Sequence, residues 1–184
     1  EFNAGLSALN KRETELTGIL RLSIPPTFEP WWPLLEAFQR VYPNIKIDLF
    51  VTDKKLDLIE DYVDVALRVG NVNSPSYVAK LITRYRHVVV ATPEYLEQSK
   101  PINLPEDILQ QNIVAWAKKD MQVVWNFSGH SIVMEPSIKV NDYAQVKFLV
   151  NSGRYLSELP YFLAHEQLQS GELVEVLVDY PMAQ

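Results

Sequence analysis

The stretch Asp57–Gly70, Asp-Leu-Ile-Glu-Asp-Tyr-Val-Asp-Val-Ala-Leu-Arg-Val-Gly, restricts the possible folds of this chain more than any other. It reads as a short helix, a tight turn, a strand over 63–69 and a glycine stop. Val65, Leu67 and Val69 alternate with Ala66 and Arg68 between the two faces of that strand. A strand so apolar, preceded by a helical pattern, suits a parallel sheet covered on both faces. Arg68 then lies near the carboxyl end of the strand, the edge at which open α/β sheets bind ligands. A guanidinium there requires an acidic partner or water, because burying it alone is too costly. A scaffold ion pair and a ligand contact are equally consistent with its position.

The neighbouring segments extend the pattern. Ile19–Ile24 reads as strand one, closed by Pro25-Pro26. Trp31, Leu34, Leu35, Phe38, Val41 and Tyr42 mark one face of a helix. Pro33 is tolerated only in a first turn, so the helix begins near Trp31–Pro33. Pro43-Asn44 leads into strand two, Ile45–Thr52, a short helix spans 53–62, and Asn71–Ser76 is a loop. The β-α-β-α-β order implies parallel strands with right-handed crossovers. Two strand-like runs follow, Tyr77–Ile82 and His87–Ala91. Beyond Ala91 the elements shorten. Helical turns are expected at 94–98 and from Pro105. Short strands are expected at 113–116, 123–127, 132–134, 138–140, 155–159 and 173–177. A helix capped by Asp142 runs to about Asn151, and another opens at Pro160 and ends at Ser170-Gly171.

Charge and composition exclude several classes. The chain of 184 residues carries a net charge of −6, which disfavours direct nucleic-acid binding. Lys80, Arg84 and Arg86 are read as an ordinary solvated face. The absence of cysteine rules out disulfides, thiolate metal sites and a cysteine nucleophile, and suits the cytosol. No apolar run approaches the ~20 residues of a membrane span. His87, His130 and His165 match no metal spacing. Neither Ser128 nor Ser131 has the positioned histidine and acid of a hydrolase. With six glycines and no Gly-rich phosphate loop, no cofactor is expected, and no enzyme activity.

In order along the chain, Gly18-Ile-Leu-Arg-Leu22, Phe38-Gln-Arg-Val-Tyr-Pro43-Asn-Ile-Lys-Ile-Asp48 and Asp64-Val-Ala-Leu-Arg-Val-Gly70 are followed by Ala91-Thr-Pro-Glu-Tyr-Leu96 and Pro101-Ile-Asn-Leu-Pro-Glu-Asp107. Val140-Asn-Asp142, Leu159-Pro-Tyr-Phe162 and Gly171-Glu-Leu-Val174 complete the series. This series resembles the effector-binding region of LysR-type transcriptional regulators. The resemblance implies a two-lobed α/β fold like the type 2 periplasmic binding proteins, with a small effector, often an anion or metabolite, in the cleft between lobes. It also implies homodimers or tetramers, and DNA contact through a separate N-terminal helix-turn-helix. On this reading residues 1–17 are the end of a linker helix, 18–88 are lobe I and 89–184 are lobe II. The return strand and helix usual in the family are missing after Leu177, so the first lobe is expected to be incomplete. The alternative is an extracytoplasmic solute-binding protein of the same fold, serving transport.

One departure stands out. Where the family commonly shows Gly-x-Gly-Ile-Ala before Leu-Pro, this chain has Gly153-Arg-Tyr-Leu-Ser-Glu-Leu159-Pro160. Tyr155, Ser157 and Glu158 replace small or apolar residues. The expected effector site combines Pro26 and Thr27 after strand one, Thr52 and Asp53 after strand two, Arg68, and Asn141 and Asp142 at a helix N-terminus. Hydroxyls, an amide, helix N–H groups and one arginine suit a carboxylate. Asp53 argues the other way and could neutralise Arg68.

Overall fold

The computed structural model describes residues 16–54, 61–70 and 78–182. The linker-helix expectation for residues 1–15, most of the helix at 53–62 and the loop at 71–76 lie outside them. The chain divides into two compact units between Lys80 and Leu81. Residue 88, the boundary expected from sequence, falls inside a strand that belongs wholly to the second unit.

In the first unit, β1 (Gly18–Ile24) is the central strand, flanked in parallel by β2 (Ile45–Val51) and β3 (Val65–Ala66). Pairing places Ile24 beside Val51 and Ser23 beside Ala66, so all three strands end at one edge. Between β1 and β2 runs α1 (Trp31–Val41), with Pro33 in its first turn. Trp31, Leu35, Phe38 and Tyr42 recur at steps of four, three and four and are the partly buried face; Leu34 and Val41 are exposed. No residue of α1 is fully buried.

The third strand is shorter than the sequence pattern predicts. Only Val65 and Ala66 pair, and Val65 and Val69 are exposed rather than covered. Two local features explain this. Tyr62 takes a positive φ of 53°, which is costly for a bulky residue and breaks the approach to the strand. Asp64 then clamps Arg21, accepting its N–H on Oδ2 at 2.8 Å while its own N–H donates to the Arg21 carbonyl. Among the described residues β3 is also an edge strand, with β1 on one side and no strand on the other. The run Tyr77–Ile82 is likewise not a strand over its described residues, and Val78, Leu81 and Ile82 are exposed.

The second unit is built around β4 (His87–Ala91), which lies between β9 (Ser157–Pro160) and β10 (Val174–Val176), antiparallel to both. The unbroken run Val88-Val89-Val90-Ala91 is buried on both faces. Val89 and Ala91 join a cluster with Ile108, Ala115, Trp125, Phe127 and Leu156. Val88 and Val90 join another with Val146, Val150, Leu159 and Ala164. Each fully buried valine contributes roughly 1.5–3 kcal/mol, which makes β4 the anchor of this unit.

The remaining elements pack around it. α2 (Pro93–Gln98) begins with Pro93 and is capped by Thr92, whose hydroxyl accepts from Tyr95 N–H at 3.2 Å. A 3₁₀ helix spans Pro105–Gln110. β5 (Val114–Trp116) pairs in parallel with β8 (Ile138–Val140), and β6 (Val123–Phe127) forms a hairpin with β7 (His130–Met134). α3 (Tyr143–Asn151) and α4 (Tyr161–Ser170) cover the β4 sheet, and Gly171 ends α4 at a left-handed φ of 78°.

Candidate functional site

The parallel strands of the first unit bring Pro26, Thr27, Thr52, Asp53 and Arg68 to a common edge. Thr52 N–H donates to the Ile24 carbonyl at 2.9 Å, tying the two strand exits together. The Thr52 hydroxyl accepts from Lys54 N–H at 3.2 Å. Thr27 holds a φ of 58°, an uncommon and strained choice for a β-branched residue.

Arg68 folds back over the end of β1. Its Nη1 donates to the carbonyls of Leu67 at 2.7 Å and Ser23 at 3.3 Å, and its Nη2 donates to Ser23 Oγ at 2.9 Å. These described partners are neutral oxygens, not the carboxylate that sequence reasoning offered as one option. Partial burial draws the guanidinium down from its ordinary pKa, although an arginine stays charged. Three of the five guanidinium hydrogens are used in these bonds. Among the described residues, Nε–H and one Nη2 hydrogen are left, and they share the edge that binds a carboxylate in bidentate fashion.

Asn141 and Asp142 belong to the second unit. Asp142 is the N-cap of α3, its Oδ1 accepting from Ala144 N–H at 2.7 Å. Asn141 is exposed.

A second polar constellation was not foreseen from the sequence. In the second unit, Glu158 on β9 is buried, its side chain 7% exposed. One of its oxygens is hydrogen-bonded to His87 Nδ1 and the other accepts from the Tyr143 hydroxyl at 2.8 Å. The His87 ring lies between Tyr85 (5.5 Å, stacked) and Tyr143 (5.8 Å, edge-on), and Tyr143 stacks on Trp116 at 5.8 Å. Burial, then the nearby Glu158 charge, push the hydroxyls of Tyr143 and Tyr85 above their ordinary pKa. Both therefore remain neutral donors. This group borders a pocket of about 240 Å³ whose walls include Trp116, Val123, Trp125 and Met182. The signal in the sequence was the acid inside the run Leu156-Ser-Glu-Leu-Pro160, since a carboxylate in a buried strand requires partners. The partners themselves, at positions 87 and 143, only the fold could supply. Among the described residues there is no cluster of histidine and acidic groups able to hold a metal, and no helix long and apolar enough to cross a membrane.

The family model for the LysR substrate binding domain matches residues 13–184. A probable HTH-type transcriptional regulator, LtrA, from Klebsiella pneumoniae is 28% identical over 181 residues, covering 95% of this chain and 59% of the relative. An HTH-type transcriptional regulator from Xanthomonas campestris is 30% identical over 191 residues, covering 98% and 55%. The full-length structure of AphB from Vibrio cholerae, described as a virulence activator, aligns with a TM-score of 0.80 at 23% identity, over 99% of this chain and 64% of that one. CrgA from Neisseria meningitidis aligns with a TM-score of 0.83 at 20% identity, over 100% and 65%. At these identities the structural likenesses establish the fold alone, a mixed α/β one. The chain spans about three fifths of the length of the curated relatives it matches. Together, the profile match over most of the sequence and the shared fold place this chain in the LysR substrate-binding domain family.

Proposed function

We propose that this chain is the effector-sensing module of a LysR-type transcriptional regulator, cytoplasmic and without catalytic activity, responding to a small anionic metabolite. The observation that carries the reading is Arg68. Its guanidinium is pinned by Ser23 and Leu67, with a two-hydrogen fork left over at the edge where three parallel strands end. Thr27 and Thr52 add hydroxyls at that edge. The strained φ of Thr27 supports a binding role, because such strain persists where function over-determines the backbone. The net charge of −6 supports DNA contact through a separate helix-turn-helix, the feature that the relatives' names carry. The lobe boundaries and the linker helix over residues 1–17 belong to the same reading.

The test is calorimetry or thermal shift against a metabolite panel, on the wild type, Arg68→Ala and Thr27→Val. A carboxylate-bearing ligand is expected to bind the wild type and to lose affinity in both variants. A ligand that binds both folded variants unchanged overturns the assignment of this edge.

We further propose that the module forms homodimers, or tetramers built from them. Trp32, Leu34 and Val41 on α1 and Phe148 on α3 are exposed apolar residues on helices, the surfaces that an isologous pairing of two copies would cover. Sedimentation is expected to show a dimer at micromolar concentration. Monomer alone at high micromolar concentration would count against the pairing.

A further inference from the structure

We propose that the pocket of the second unit is a binding site for a small, uncharged aromatic ring bearing an O–H or N–H donor, with Trp116, Trp125 and Tyr143 as its apolar walls and His87 as its hydrogen-bond acceptor. The proposal deepens the sensing reading by naming a ligand class, and it rests on that reading only for its biological purpose. The binding itself is argued from the second unit alone.

Size comes first. The pocket is about 240 Å³, below the roughly 300–1,000 Å³ of sites for drug-sized molecules, so its occupant is no larger than one or two rings. The walls decide its body. Two tryptophans, a tyrosine, Val123 and Met182 line this open pocket together with the polar Asn126, and aromatic faces favour a planar partner by stacking or edge contact.

The polar end is decided by the pair at the rim. Glu158 engages His87 at Nδ1, and in the neutral ring this bond places the proton on that nitrogen. In the neutral ring Nε2 is a lone-pair acceptor, and among the described residues it has no hydrogen-bond partner. Tyr85 stacks on the ring and Tyr143 meets it edge-on. Among the described residues no lysine or arginine lines the pocket, while Glu158 does. A carboxylate ligand would meet that acid, whose described partners are His87 and Tyr143, with no lysine or arginine beside it. The preference is thus opposite to that of the Arg68 edge, and it arises from Glu158, one of the three residues at which the chain departs from the family pattern.

The probes are phenol, toluene and benzoate, titrated against the full chain by ligand-observed NMR and calorimetry. Phenol is expected to bind saturably in the millimolar range usual for so small a ligand. Toluene, which lacks the donor, and benzoate, which carries a charge, are expected to bind at least about tenfold more weakly. Trp116→Ala and His87→Phe should each weaken phenol about tenfold, whereas Arg68→Ala should leave it unchanged. On the wild type, which requires no variant to fold, the ¹⁵N resonance of His87 Nε2 should move on titration with phenol. The proposal fails if phenol does not saturate, if benzoate binds as tightly, or if Nε2 does not respond. It also fails if Arg68→Ala abolishes binding, which would relocate the ligand to the first unit. A metabolite lost only in Arg68→Ala, with phenol inert, would sustain the sensing reading while overturning this one.

Discussion

Arg86 and Glu175 form a two-pronged ion pair, Nη1 to Oε1 at 2.6 Å and Nη2 to Oε2 at 3.1 Å, that ties the residue preceding β4 to the middle of β10. The guanidinium also lies 4.6 Å from the centre of the Tyr161 ring. Sequence reasoning read Arg86 as part of a solvated basic face, because its acidic partner is nearly ninety residues away along the chain. Arg86→Ala is expected to cost about 1 kcal/mol, a value kept low because the arginine is 40% exposed and screened by water. Denaturant midpoints for Arg86→Ala, Glu175→Gln and the double variant would show non-additivity. Strict additivity would mean that the pair contributes nothing.

Gly153 combines two constraints. Its φ is 72°, and a Cβ added there would lie 3.0 Å from Glu94 Oε2. Gly153→Ala should lower stability by about 1 kcal/mol from backbone strain alone, with Glu94 able to swing aside. Pairing it with Glu94→Ala in thermal melts separates the terms: the backbone cost should persist, and the contact cost should vanish.

Acid should loosen the start of the 3₁₀ helix. Asp107 accepts the N–H groups of Leu104 and Asn103, both at 2.8 Å, and these bonds hold its pKa below the ordinary value. Glu106 is lowered as well, first by its hydrogen bond to His130. A carboxyl with a depressed folded-state pKa stabilises the fold above its unfolded value and loses that contribution as pH falls through the folded value. The melting-temperature difference between the wild type and Asp107→Asn should therefore be full at neutral pH. It should shrink as pH drops below the ordinary aspartate range near about 3.9. A difference that is constant down to strongly acidic pH would refute the assignment.

The two units should differ in their resistance to opening. In the first, α1 contributes no fully buried residue, and Ile19, Phe50 and Val51 on its strands are exposed. In the second, β4 is sealed on both faces. Amide hydrogens of β1 and β2 are expected to exchange faster than those of β4 and β9. Equal protection would show that the first unit is stabilised by something its burial does not reveal.

The parts of the fold legible in the sequence were those governed by local chemistry. Pro33 fixed the first turn of α1, Asp142 the start of α3, Gly171 the end of α4, and the turn at Ser128-Gly129 the β6–β7 hairpin. The parallel order of β1, β2 and β3 followed from their alternation with helical segments. What the sequence concealed depends on distant pairing. The length of β3 is limited by the Asp64–Arg21 clamp. The strand-end residues Thr27, Thr52 and Arg68 could be grouped because all lie just beyond or at the ends of neighbouring strands. His87, Tyr143 and Glu158 could not, since three separate elements deliver them and no spacing links them.

The position of β4 also bears on how the protein is made. Its two neighbours, β9 and β10, are drawn from residues 157–176, so β4 leaves the ribosome long before either exists. At about 5–20 residues per second, its valines wait roughly 4–20 seconds for the strands that will cover their edges. During that interval a bare apolar β-segment is open to aggregation. Slowing synthesis between residues 91 and 157 should therefore lower the soluble yield, whereas slowing it after residue 177 should not.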